Sequence, residues 1–155
     1  MRRLPLVLGL AILAAVSADA ANPERSYVAP PNLGASAAPP FSNAVLVGET
    51  LYVAGHIGID PTTGQAAAPV DAEARLVMDA VKHTVEQAGM TMDDFVSVTV
   101  YCTDLDLYDK FNSVYRTYFR GQYPARAFIG INKLVRGAHF EVAGIAIKPA
   151  GARKL

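Results

Sequence analysis

Two short apolar segments near the carboxyl end of the chain place the strongest constraint on its fold. Residues 124–132 and 138–147 are rich in Ala, Ile, Val and Phe, whereas the residues between them include Lys133, Arg136 and Gly137. Short segments with these side chains are typical of β-strands, and a short polar loop with a glycine is typical of a hairpin. The sequence therefore predicts that the two segments pair as a β-hairpin.

Alternation along the first segment predicts which of its side chains share a face. Because successive side chains of a strand point to opposite faces, Arg126 and Phe128 are expected on one face and Ile129 on the other. Arg126 is therefore expected on the face that points away from the core. In the predicted hairpin it lies about two or three residues out of register with Glu141, a diagonal separation that a long side chain spans. We expect Arg126 and Glu141 to share one pocket.

The preceding part of the chain predicts further strands and two helices. Gly48 and Glu49 are a tight-turn candidate between two short strands, and a helical pattern of apolar residues begins after Asp71 and stops at Gly89. A strand and a second, aromatic-rich helix follow. This order predicts an α+β fold with a mixed sheet and both helices on one face. The predicted elements are strands at 43–48, 50–55 and 95–102 and helices at 71–88 and 107–119.

The sheet face without helices is expected to carry Arg126, Phe128 and Asn132, together with Glu141 and the aliphatic residues of the last segment. Such a face is too apolar to remain in water and, at one end, too polar for a core. We therefore expect the chain to associate with copies of itself through this face.

The first 20 residues have the layout of a signal peptide. Arg2 and Arg3 precede an apolar run from Leu4 to Val16, and Ala18-Asp19-Ala20 provides a small-x-small cleavage site. The run is shorter than the roughly 20 residues that span a bilayer, so we expect cleavage after Ala20 and a periplasmic or secreted protein. The predicted organisation is a signal peptide at 1–20, a flexible leader at 21–38 and one domain at 39–150.

The composition excludes several classes of function. Without residues 1–20 the chain holds 12 basic and 13 acidic residues, so no global positive field would recruit nucleic acid. Cys102 is the single cysteine, so the chain cannot form an intramolecular disulfide. As a small apolar residue at the end of a predicted strand, it is expected in the core. His56, His83 and His139 lie on separate predicted elements without metal-binding spacing, so we expect no metal and no other cofactor.

A set of short motifs is spread over residues 39–148. The motifs are Phe41-Ser42-Asn43-Ala44, Val53-Ala54-Gly55-His56-Ile57, Asp60-Pro61-Thr62-Thr63-Gly64, Ala88-Gly89, Asn112-Ser113-Val114-Tyr115 with Tyr118-Phe119, Pro124-Ala125-Arg126 with Leu134, and Gly137-Ala138-His139-Phe140-Glu141-Val142. In this order and spacing they resemble the Rid family of reactive-intermediate deaminases, also called YjgF. The resemblance implies a chorismate-mutase-like subunit that assembles as a homotrimer, with its sites in the clefts between neighbours.

The residue types indicate the chemistry of such a site. A guanidinium offers a planar fork of donors that matches a carboxylate, and a nearby glutamate holds a water or moves a proton. The resemblance implies that Arg126 binds the substrate carboxylate and Glu141 orients the attacking water. It also implies hydrolysis of small enamine or imine carboxylates to 2-keto acids and ammonia. The implied substrate-binding residues are Phe41, Gly55, His56, Ile57, Asn112 and Phe128.

Three of these positions depart from the common pattern of the family. Phe41 replaces a tyrosine, His56 replaces a glutamine, and Phe128 replaces a smaller side chain. Phe41 and the expected export favour an alternative, a non-catalytic module that binds small carboxylates. An endoribonuclease is a further alternative, but the sequence has no pair of histidines at one site and no basic stripe. In the remaining alternative, Arg126 and Glu141 form a structural ion pair and do not belong to a functional site.

Overall fold

The computed structural model describes residues 23–30 and 39–149, which form a mixed sheet of six strands and two α-helices. The predicted signal peptide at 1–20 lies outside the described residues. Among the described helices, none has the length and hydropathy needed to cross a membrane. The elements are strands β1 (Arg25–Val28), β2 (Ala44–Val47), β3 (Thr50–Ile57), β4 (Phe95–Cys102), β5 (Ala125–Gly130) and β6 (Phe140–Ile147), and helices α1 (Val70–Gln87) and α2 (Tyr108–Tyr115).

Strand β1 lies within the segment that the sequence predicted as a flexible leader. It pairs antiparallel with β2, and the Asn43 N–H donates to the Val28 carbonyl at 2.8 Å. Tyr27 of this edge strand is 61% exposed. Only Val28 of β1 packs against the core, and main-chain hydrogen bonds hold the rest, so the sequence carries no alternating pattern. The prediction of a leader without regular structure was therefore wrong for these four residues.

The predicted hairpin at residues 43–55 and the two predicted helices are present. Gly48 has a φ of 60° and turns the chain between β2 and β3, a conformation that glycine adopts without strain. Helix α1 begins at Val70, so Asp71 lies in its first turn and is not the N-cap. Gly89, with a φ of 71°, ends the helix as predicted. A short 3₁₀ turn extends α2 from Arg116 to Tyr118.

The strand order corrects the predicted hairpin at the carboxyl end. The order is β1-β2-β3-β6-β4-β5, and β4 lies between β5 and β6. Strand β5 pairs parallel with β4, whereas β6 pairs antiparallel with β3 and β4. At the end of β4, Ile131 donates its N–H to the Cys102 carbonyl at 2.8 Å and Thr103 donates to His139 at 3.1 Å. The connection between β5 and β6 therefore crosses the end of β4 and is not a tight hairpin turn.

Both helices cover one face of the sheet, as predicted. Phe111 of α2 contacts Phe128 of β5 and Phe140 of β6, with ring centroids 5.7 and 4.8 Å apart. Cys102 is buried in this core, as its place in β4 predicted. Burial of these apolar side chains provides the main stabilising free energy of the fold.

The face assigned to Arg126 from the sequence is wrong. Residues that pair in register share a face, and Arg126 pairs with Val98 while Phe128 pairs with Val100. Val98 and Val100 are buried beneath the helices, so Arg126 and Phe128 point to the helix-covered face. Ile129 points to the other face and is exposed. Alternation separates the two sets of side chains, but it does not say which set the helices cover.

The face without helices, hereafter the open face, is largely apolar. Glu141 of β6 lies on it because it pairs with Tyr101 and Ile57, and neither of these side chains is covered by a helix. A surface of this kind favours association with another protein surface. The apolar and aromatic residues of the open face include Tyr27, Val45, Val47, Tyr52, Ile57, Tyr101, Ala127, Ile129, Ala143, Ile145 and Ile147.

Candidate functional site

Arg126 lies on the edge strand β5, beneath helix α2. Its Nη2 donates to Oδ1 of Asn112 at 2.8 Å, and Asn112 is itself buried on α2. The remaining N–H groups of the guanidinium have no hydrogen-bond partner or carboxylate among the residues that the structure describes. One amide therefore orients the fork and leaves most of its donors available to a ligand.

Aromatic rings surround the Arg126 guanidinium. Its Cζ lies 4.5 Å from the ring centroid of Tyr115, 5.6 Å from that of Phe128 and 5.8 Å from that of Tyr108. Stacking on these rings stabilises the cation and keeps water away from its faces. Burial raises the pKa of Tyr115 to about 12, against an opposing effect of Arg126, so its hydroxyl keeps its proton at neutral pH.

A cavity of about 250 Å³ opens beside the guanidinium. Its walls come from one side of α2, from the 3₁₀ turn that follows, and from the start of β5. The lining includes no aspartate or glutamate, and its two charged residues are Arg116 and Arg126. The lining residues are Tyr108, Asn112, Tyr115, Arg116, Tyr123, Pro124 and Arg126.

Glu141 lies in a second group of residues, on the open face. Its carboxylate packs against the backbone of Gly55, so closely that a β-carbon at this position would overlap Oε1. Ile57 pairs with Glu141 across the β3–β6 ladder, and the register of that ladder shifts between Val53 and His56. This bulge places the glycine beneath the carboxylate. Gly55, Ile57 and Glu141 therefore lie together on this face of the sheet.

Within one subunit the two groups do not meet. Arg126 pairs with Val98 of β4, whereas Glu141 pairs with Tyr101 of the same strand. The two residues therefore lie on strands that β4 separates, three residue pairs apart along the ladder, and on opposite faces of the sheet. The predicted diagonal contact was wrong because it assumed that β5 and β6 are neighbours. It follows that Arg126 and Glu141 form no ion pair within a subunit.

The His56 side chain lies on the helix-covered face, opposite to the face that carries Glu141. The His56 ring is buried beneath α1, where Nδ1 donates to the Ala54 carbonyl at 2.7 Å and Nε2 accepts from the Thr84 hydroxyl at 2.8 Å. Burial lowers the pKa of His56, which favours this neutral form. The resemblance implied that His56 binds substrate, but the buried ring has both nitrogens bonded within the subunit and is a packing residue. Phe41 precedes β2 and is 58% exposed.

A buried carboxylate at the start of α1 was not predicted from the sequence. Glu73 is fully buried and accepts the main-chain N–H groups of His139 at 2.6 Å and Phe140 at 3.0 Å. Its second oxygen lies 2.7 Å from Nδ1 of His139. These bonds attach α1 to the start of β6. Glu73 lies four residues before the buried Val77 on the apolar stripe of α1, a signal that the sequence contained. Among the described residues, no cluster of three or more metal-ligating side chains occurs.

Comparisons with known proteins agree with this architecture. A family model described as endoribonuclease L-PSP matches residues 32–148. The human 2-iminobutanoate/2-iminopropanoate deaminase is 34% identical over 110 residues, which cover 70% of this chain and 80% of the relative. RidA from the Antarctic bacterium Psychrobacter sp. PAMC 21119 has a TM-score of 0.67 at 33% identity, over 73% of this chain and 92% of that one. E. coli TdcF with bound serine has a TM-score of 0.68 at 31% identity, over 72% and 91% of the two chains.

The mixed sheet of six strands with two helices in this chain matches the fold of these solved structures. The matching family model covers more than half of the chain, which confirms the resemblance inferred from its motifs. The chain belongs to the Rid family, also called YjgF/RidA.

Proposed function

We propose that this protein hydrolyses small enamine or imine carboxylates to 2-keto acids and ammonia. The observation that carries the proposal is the Arg126 guanidinium, which Asn112 orients and whose other donors face a cavity without acidic groups. The human relative is named as a deaminase of imino acids of this class, and TdcF binds serine, a small carboxylate. In the proposed reaction, the water oxygen adds to the carbon of the C=N bond, the C–N bond breaks, and the nitrogen leaves as ammonia.

Arg126 binds the substrate carboxylate in this proposal. A guanidinium donates two parallel hydrogen bonds to the two carboxylate oxygens, and the bond to Asn112 holds its plane in one orientation. The aromatic rings of Tyr115 and Phe128 exclude water from the faces of the cation, which strengthens its interaction with an anion. Binding in a fixed orientation also places the imine carbon for attack.

Glu141 orients the attacking water and moves its proton in this proposal. A carboxylate accepts a hydrogen bond from water, and it relays a proton when it lies within hydrogen-bond distance of the reacting atoms. The close packing against Gly55 restricts the position of the carboxylate. A restricted carboxylate loses less conformational entropy when it positions the water.

We propose that each site forms between two subunits of a homotrimer. Arg126 and Glu141 lie on opposite faces of one sheet, so a pocket that uses both residues needs Arg126 from one subunit and Glu141 from a neighbour. The apolar open face, which carries Glu141, supports association through that face. The predicted size of the assembly comes from the family resemblance.

A non-catalytic carboxylate-binding module is the second candidate function. Phe41 supports it, because a phenylalanine has no hydroxyl with which to bond a substrate or a water. This candidate predicts carboxylate binding without turnover. An endoribonuclease is less well supported: His56 is buried beneath α1, His83 is exposed on α1, and His139 contacts Glu73, so these three side chains do not form one acid–base pair.

The deciding experiment compares the wild-type protein with Arg126→Lys on imines made in situ by an amino-acid oxidase from alanine or 2-aminobutanoate. Lysine keeps the charge but loses the planar fork, so turnover should fall at least about tenfold, or about 1.4 kcal/mol. Glu141→Gln should keep the affinity for carboxylates while its turnover falls. Arg120→Lys, an exposed change outside the cavity, is the matched control.

Light scattering on the same proteins should give about three times the subunit mass, since site formation and assembly are proposed together. Unchanged turnover in Arg126→Lys would contradict the carboxylate clamp. A monomeric wild-type protein that remains active would exclude the site between subunits. Carboxylate binding by wild-type protein without any turnover would favour the second candidate.

We further propose that the protein is exported and processed. The support is the basic, apolar and small-residue pattern of residues 1–20. Amino-terminal sequencing of the mature protein should begin at or near Ala21. Recovery of the intact chain from the cytoplasm of its host would contradict export.

A further inference from the structure

We infer that the Arg126 cavity accepts an imino acid with a second carboxylate group, and that Arg116 binds this second group. The inference names the substrate class of the deaminase proposed above and rests on that function. It differs from the substrates in the name of the human relative, which carry one carboxylate each.

The first observation is the position of Arg116. Asn112 and Arg116 are four residues apart, so they lie on the same side of α2 and its 3₁₀ extension. Asn112 bonds to Arg126, and Arg116 lines the same cavity of about 250 Å³ from its exposed edge. The fold therefore places two arginine residues in the lining of one small space.

The second observation is the charge of that space. The lining residues that one subunit contributes besides the two arginines are neutral, namely Tyr108, Asn112, Tyr115, Tyr123 and Pro124. Neither guanidinium forms an ion pair with a carboxylate in the described part of the chain.

The two arginines of one subunit raise the local concentration of anions. The Glu141 carboxylate, proposed above to come from a neighbouring subunit, acts at the imine carbon, so each arginine is left to pair with one carboxylate of a dianion. A ligand with one carboxylate bound to Arg126 leaves Arg116 without a partner, whereas a dicarboxylate pairs both groups. The tyrosine rings between the two arginines provide apolar surface for the carbon chain that joins the carboxylates. Electrostatics thus selects the charge of the ligand, and the cavity volume limits its length.

The binding test compares succinate with propanoate, which differ by one terminal carboxylate. Calorimetry on the full-length mature protein should show succinate binding more tightly. Arg116→Gln should reduce the ratio of the two affinities about fivefold, the effect of a partly exposed charged hydrogen bond. Arg120→Gln removes the same charge from an exposed position outside the lining, and it should leave the ratio as in the wild type.

The turnover test compares imines made in situ from aspartate and from alanine. The ratio of their kcat/KM values should favour the dicarboxylate and fall in Arg116→Gln. An affinity ratio that is equal in wild-type protein and Arg116→Gln, or a preference for propanoate, would overturn the inference while leaving the deaminase proposal intact. A succinate preference that depends on Arg116, without turnover of either imine, would support the dicarboxylate site and refute the deaminase.

Discussion

Substitution of Gly55 by alanine tests the role of Glu141 without touching that residue. A β-carbon on Gly55 would overlap Oε1 of Glu141 and lie 2.8 Å from Cδ and 3.1 Å from Cγ. The end of the glutamate side chain must therefore rotate away from its present position. Gly55 is not among the glycines with positive φ, so alanine meets no backbone strain there.

The expected effects on stability and on turnover differ in size. A changed rotamer costs about 0.5–1.5 kcal/mol. Alanine also lowers the conformational entropy of the unfolded chain relative to glycine, which stabilises the folded state by about 0.4–1 kcal/mol. The two effects oppose each other, so the free energy of unfolding should change by less than about 1 kcal/mol. Displacement of a reacting group by about 1 Å lowers the rate about 10²-fold, or about 2.7 kcal/mol of activation free energy. Turnover should thus fall far more than stability.

The assay measures imine turnover and urea unfolding for Gly55→Ala, Glu141→Gln and the double variant. Gly121→Ala is the control, because a β-carbon there meets no atom within 4 Å. If Gly55→Ala acts by displacing the Glu141 carboxylate, the double variant should be no slower than Glu141→Gln alone. Turnover of Gly55→Ala within about threefold of wild type would refute the role given to Glu141. A further loss in the double variant would show that the methyl group blocks the pocket directly.

Two further predictions concern stability. Burial lowers the pKa of His56, so on acidification the imidazole is protonated in the unfolded state before it is protonated in the folded state. The contribution of His56 to the free energy of unfolding should therefore be constant above about pH 6.5 and decrease below it. The decrease should be at most about 1.4 kcal/mol per pH unit. Urea titrations between pH 5.5 and 7.5 should show a smaller slope in His56→Gln than in the control His83→Gln, and equal slopes would contradict the assignment. Glu73→Gln should lower the free energy of unfolding by about 1.5–3 kcal/mol, since it weakens bonds to two main-chain N–H groups and an imidazole. Glu86→Gln, which removes an exposed ion pair with Lys82, should cost less than about 0.5 kcal/mol, and an equal loss in the two variants would refute the role of Glu73.

The candidate site could be predicted in part. The motifs identified Arg126, Asn112 and Glu141, and the structure brings Asn112 to Arg126 and Gly55 to Glu141. The sequence did not reveal that these are two separate groups, because the separation depends on a strand inserted from elsewhere in the chain. Nor did it reveal Arg116 as part of the cavity, since an exposed arginine on a helix has no distinctive local pattern.

The order of the main elements, the turn at Gly48, the end of α1 at Gly89 and the family could all be predicted from the sequence. These features depend on periodicity and turn residues that act over a few neighbouring positions. Three features became visible only in the folded chain: β4 separates β5 from β6, Arg126 faces the helices, and His56 packs against Thr84. Strand pairing brings together residues that are distant in the chain. The alternation of side chains along a strand is the same whichever face of the sheet the helices cover. Both choices depend on which arrangement buries the most apolar surface in the whole domain.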